Sequence, residues 1–142
     1  MRVVKSFVDT NILVYAHTAS EPIKQEIALK SMRGSLSVIS TQVIKEFANV
    51  LLKQKDIDYQ LIQEAINDII DAADVISEDL DMIFASFDIH KRYKYSFYDC
   101  LIIAAAMAAK CQVLLSEDMQ HGQIIDGKLR IVNPFNEEKI DI

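Results

Sequence analysis

The sequence predicts an α/β fold, a three-layer α/β/α sandwich with a central, mostly parallel sheet. Three observations predict it. Short β-branched runs alternate with longer helical patterns along the 142 residues. The helical patterns outnumber and outlast the strands. Gly and Pro number only 3 and 2, too few for an all-β chain built on tight turns. No repeat, low-complexity tract or Pro/Gly/Ser linker divides the chain, so residues 1–142 read as a single domain.

Val3 to Val8 is short and rich in β-branched residues and reads as the first strand. Asp9-Thr10-Asn11 follows at once. Such side chains cap helices, so a short helix starts there. Pro22 suits the first turn of a second helix, and Gly34 ends it. Leu36 to Ile39 is a second strand. Ser40 then caps a helix whose apolar positions are Val43, Ile44, Phe47, Val50 and Leu51. Asp58 caps another, striped by Leu61, Ile62, Ala65, Ile66, Ile69, Ile70 and Ala73. Val75-Ile76 is a brief strand. A helix runs from about Asp79 to Lys94, and Ser96 opens the next, which continues through Ala109. Val113 to Ser116 and Arg130 to Val132 complete the strands.

The charge balance restricts function. Lys+Arg 15 against Asp+Glu 21 gives −6, so bulk electrostatics does not grip a polyanion. A nucleic-acid partner needs a local basic patch or bound cations. Cys100 and Cys111 do not make a disulfide framework, and with His17, His90 and His121 they show no zinc spacing. Lys5 and Asp9 interrupt the N-terminal apolar run, and the longest uncharged apolar run, Cys100 to Ala109, is short of a membrane span. These features place the chain in a reducing cytoplasm, away from membranes.

Four carboxylates stand out. Asp9 closes the first strand, and Asp118 lies just past the strand ending at Ser116. In parallel α/β folds ligands sit beyond the carboxyl ends of the strands. Glu46 borders an apolar helix stripe. Asp99 lies on a helix that is apolar almost all round. A carboxylate facing low dielectric is costly unless a cation or a donor meets it. Each acid also has a local reading: Asp9 and Asp99 as capping groups, Glu46 as a solvated helix residue, Asp118 as a turn acid beside Glu117. Together they suit phosphodiester hydrolysis. Hard oxygen ligands bind Mg²⁺ or Mn²⁺, and a bound cation makes hydroxide available near neutral pH. His90-Lys91-Arg92-Tyr93-Lys94-Tyr95 interleaves bases with aromatics, which suits phosphate contact and base stacking, and equally suits a helix C-terminus. The Ser116 hydroxyl can serve Asp118 or a metal-bound water.

These residues resemble the PIN domain family of metal-dependent ribonucleases. FVDTNILVYA (7–16) looks like its first motif, VIKEFANVL (43–51) its second, FYDCLIIAAA (97–106) its third and LLSEDMQHG (114–122) its fourth. The resemblance implies that Asp9, Glu46, Asp99 and Asp118 bind Mg²⁺ or Mn²⁺ and cut RNA. It implies that Thr10, Asn11 and Ser116 support them, with Asn11 bonded to the first acid. A stand-alone chain of this length looks like a VapC-type toxin, which implies a small antitoxin partner and a homodimer. Glu117 is an alternative fourth ligand, although the Ser-x-Asp spacing favours Asp118. Two other functions stay open: a non-catalytic PIN-fold module that docks a protein, and a phosphohydrolase with Asp9 as nucleophile.

Overall fold

The computed structural model describes residues 3–140. The elements run β1 (Val4–Val8), α1 (Thr10–Ala16), α2 (Pro22–Arg33), β2 (Ser35–Ser40), α3 (Thr41–Leu52), α4 (Tyr59–Ala72), β3 (Asp74–Ile76), α5 (Leu80–Tyr93), α6 (Phe97–Ala108), β4 (Val113–Leu115), β5 (Ile124–Ile125) and β6 (Leu129–Val132). One six-stranded sheet has the order β3-β2-β1-β4-β6-β5. Every neighbouring pair is parallel except β5 with β6. The two-residue β5 is not among the strands expected from the sequence. It carries too few residues to show a period-2 pattern.

The helix starts follow the side chains that can cap them. Asp9 accepts from the Thr10 N–H, Ser40 from Val43, Asp58 from Gln60 and Leu61, Asp79 from Met82 and Ser96 from Asp99. Pro22 takes the first turn of α2, where a missing N–H costs nothing, and Gly34 caps its end. Lys94 closes α5 in the left-handed region, at φ 67°.

Helices flank the sheet. The residues of α6 from Cys100 to Ala106 are all buried, because α6 packs on β2 and β4 while α5 covers it from outside. That explains the missing polar face in its sequence. Phe7, Phe47, Ile103, Leu114 and Ile131 anchor the core, each 0% exposed. Truncating Phe47 to alanine would cost roughly 3–5 kcal/mol. Both cysteines are buried free thiols. Among the described residues no helix is long and apolar enough to cross a membrane.

Candidate active site

The strand order reverses beside β1. The chain leaves β1 for β2 and β3, then returns to the other flank of β1 as β4. Such a switch point opens a crevice at the carboxyl ends of the strands. Asp9 follows β1 directly and Ser116 follows β4 directly. The Asp9 N–H donates to the Leu115 carbonyl at 3.0 Å, which locks the two strand ends together.

Asp9 is 4% exposed. One carboxylate oxygen accepts from the Thr10 N–H at 2.7 Å and the other from the Ser116 hydroxyl at 2.8 Å. It therefore caps α1 as expected, and it does so inside the crevice. Burial pushes its acid up to about 7. The two hydrogen bonds oppose that rise, and the charges of Asp99 and Asp118 add to it.

Glu46 reaches the same crevice from α3. The Thr10 hydroxyl donates to one of its oxygens at 3.0 Å and the Gln42 amide to the other at 2.6 Å. Asp99 stands half-buried in the first turn of α6, its N–H bonded to the Ser96 hydroxyl at 3.2 Å. Burial raises its acid, Ser96 lowers it, and the charges of Asp118 and Glu46 raise it further. Asp118 is exposed, and the Asn11 amide donates to it at 2.6 Å. The four acids named from the sequence thus border one crevice.

Several partners differ from expectation. Asn11 does not bond the first acid: its amide reaches Asp118 across the switch point. The amide lies one residue beyond Thr10, whose N–H already fills that side of Asp9. The Ser116 hydroxyl donates to Asp9, and it accepts from the Asp118 N–H at 3.3 Å rather than donating to the Asp118 carboxylate. Glu117 turns away from the crevice. It pairs with Lys24 at 2.6 Å and accepts from the Tyr15 hydroxyl at 2.8 Å, and these bonds hold its acid below the usual carboxylate range against the opposing effect of burial. In the basic stretch, the Arg92 guanidinium is shared between Asp88 and Asp126, and the Tyr93 hydroxyl donates to Asp126. Both side chains therefore have acidic partners within the chain. Lys91 and Lys94 are exposed.

Sequence reasoning missed Gln42, Glu78 and Lys24. The i,i+4 spacing of Gln42 and Glu46 is a signal it could have used. Glu78 has no local signal. It comes from the β3–α5 connection to accept from the Gln42 N–H at 2.6 Å and the Thr41 hydroxyl at 2.5 Å, capping α3.

Among the described residues no three acidic, histidine or cysteine side chains stand close enough to hold one ion between them. The donor set still fits a hard divalent cation. Mg²⁺ takes one or two carboxylates directly and keeps several waters. The donors are all oxygen, and among the described residues no basic side chain bonds Asp9, Glu46, Asp99 or Asp118. Asp9 is the sharpest case: a buried carboxyl whose bonded partners are all neutral.

Comparison with known proteins agrees with this fold. A family model described as PIN domain matches residues 6–124. No curated protein matches the chain. Among solved structures, VapC20 of Mycobacterium tuberculosis, a sarcin–ricin-loop-cleaving toxin, is 17% identical with a TM-score of 0.66, over 80% of this chain and 89% of that one. A toxin–antitoxin complex from Klebsiella pneumoniae matches at 20% identity and TM-score 0.71, over 92% and 98%. VapBC2 of Rickettsia felis, bound to a DNA fragment from its promoter, matches at 18% identity and TM-score 0.62, over 81% and 89%. At such identities these likenesses establish the fold. The family model spans most of the chain and includes all four acids, so the chain belongs to the PIN domain family.

Proposed function

We propose that this chain is a metal-dependent endoribonuclease that hydrolyses RNA phosphodiester bonds, and that it acts as the toxin of a toxin–antitoxin pair. The observation that carries the reading is Asp9: a buried carboxyl with no basic partner among the described residues, at the switch point of the sheet, acted on by the charges of Asp99 and Asp118 and joined to Glu46 through Thr10. Mg²⁺ or Mn²⁺ held by these acids would lower the pKa of water and so make hydroxide available as nucleophile near neutral pH. The chain's own residues prepare the site. Ser116 and Thr10 fix the Asp9 carboxylate. Thr10 also bonds Glu46, and Asn11 aims Asp118. Lys91 and Lys94, exposed and without an acidic partner among the described residues, would meet RNA phosphates. Arg92 and Tyr93 support the α5–β5 side through Asp126.

The toxin assignment draws on VapC20, on the Klebsiella complex and on VapBC2, and it brings a small antitoxin as partner. A homodimer is part of the same reading. In support of it, Phe84, Phe87, Phe97 and Tyr98 form a run of neighbouring rings that stay 36–65% exposed. The buried free thiols accord with a cytoplasmic setting.

The test is cleavage of a panel of tRNA, rRNA fragments and single-stranded RNA with Mg²⁺, Mn²⁺ or EDTA, beside Asp99→Asn. Cuts that need metal and vanish in the variant are expected. Folded protein that cuts nothing under any condition would instead favour the protein-docking module.

A further inference from the structure

Gln42 stands one helical turn before Glu46 on α3 and is 7% exposed. Its amide nitrogen donates to Glu46 Oε1 at 2.6 Å and to the Tyr98 carbonyl at 3.3 Å. Its own oxygen, Oε1, is buried, and no donor meets it among the described residues. Turning the amide over would set that oxygen against a carboxylate and a carbonyl, acceptor against acceptor, so its orientation follows from chemistry. An unmet buried carbonyl is destabilising. A methionine of similar length would fill the space without it. The amide is therefore held for its donors and not for its packing.

Those donors join two parts of the crevice. The Tyr98 carbonyl belongs to the peptide unit that leads into Asp99. One side chain thus ties the second acid to the backbone of the third. Thr10 holds the other oxygen of Glu46 at 3.0 Å, so the carboxylate is gripped from α1 and α3 together. Glu46 and Asp99 repel each other, which is one reason the Asp99 acid is raised. Without the amide, Glu46 would be free to turn toward water and away from Asp99.

We propose that Gln42 is a positioning residue of the acidic crevice: its amide fixes the Glu46 carboxylate and keeps α3 in register with the first turn of α6. The proposal rests on the metal-dependent reading of the site. Gln42 acts through Glu46 and need not touch cation or RNA.

The test compares Gln42→Met, Glu46→Gln and the double variant, with Mn²⁺ affinity read by titration calorimetry in the absence of RNA. Gln42→Met removes the unmet oxygen and also the donor that Glu46 and the Tyr98 carbonyl share, so a melting curve first shows the variant folded, and Mn²⁺ affinity is then expected to fall about 10-fold. In the Glu46→Gln background the same change is expected to add less than about twofold, since the group it positions is already altered. With RNA, kcat falls and KM stays. Undiminished affinity in Gln42→Met, or an equal loss in both backgrounds, overturns the proposal. A Glu46→Gln protein that binds Mn²⁺ as before overturns the reading of the acidic site itself, and the two failures are thereby distinct.

Discussion

Asp9 and Asp118 share one hydroxyl, that of Ser116, and differ in almost everything else. Asp9 is buried, bonded at both oxygens, and pushed up to about 7 by its surroundings. Asp118 is exposed and held by the single amide of Asn11. The side of the crevice built on β1 is rigid because strand order and helix capping both fix it. After β4, the Asp118 carboxylate has one side-chain partner among the described residues, Asn11. Burial favours a proton or a cation on Asp9, while Asp118 faces solvent.

The sharpest way to break this contrast is Asp9→Asn, which keeps the shape and removes the charge. Metal-dependent cleavage is expected to fall by at least ~10²-fold. The metal-free protein should become more resistant to urea above neutral pH. A variant that cuts normally would show that the buried acid is only a helix cap.

The second effect is on stability against pH. The unfolded Asp9 titrates near 3.8 and the folded one near 7, so between these values the folded protein keeps a proton that the unfolded chain has lost. Metal-free stability therefore falls as pH rises through that window, by about 3 kcal/mol if Asp9 dominates. Asp99, also raised, acts in the same direction. Glu78, Glu117 and Asp126 are lowered, so their contribution is lost only in more acidic solution. Urea midpoints from about pH 5 to about pH 8 should decline, flatten in Asp9→Asn, and recover when Mn²⁺ is added at the upper end. A flat profile in the unchanged protein would remove the desolvation argument.

The smallest effects sharpen the exposed side. Asn11→Ala should lower cleavage about 10-fold, less than Asp118→Asn, because the acid stays but loses its aim. Glu117→Gln should leave Mn²⁺ affinity well inside that ~10-fold change, since Lys24 and Tyr15 already occupy Glu117. A larger loss would make Glu117 the ligand that spacing alone leaves as an alternative.

The sequence made the helices and the central strands readable because each signal is local. Ser40, Asp58, Asp79 and Ser96 all cap where they stand. The acids were readable for the same reason, each sitting at a strand end or on a helix with a clear stripe. What was not readable is who bonds whom. Asn11 meets Asp118, Thr10 meets Glu46, and Arg92 meets Asp126 across long stretches of chain. Nothing in a local pattern chooses Asp118 over the much nearer Asp9 for Asn11. Arg92 is the instructive case. Its pairing with Asp88 at i,i+4 is the one part of its surroundings that the sequence shows; the pairing with Asp126 is not local.

The bond from Ser116 to Asp9 spans most of the chain and has a consequence for synthesis. Asp9 leaves the ribosome more than a hundred residues ahead of its hydroxyl partner, of the β4 strand that flanks it and of the fourth acid. Until β4 has been made and has docked beside β1, there is no crevice. A partly made chain that lacks β4 therefore lacks the assembled crevice with which RNA would be cut.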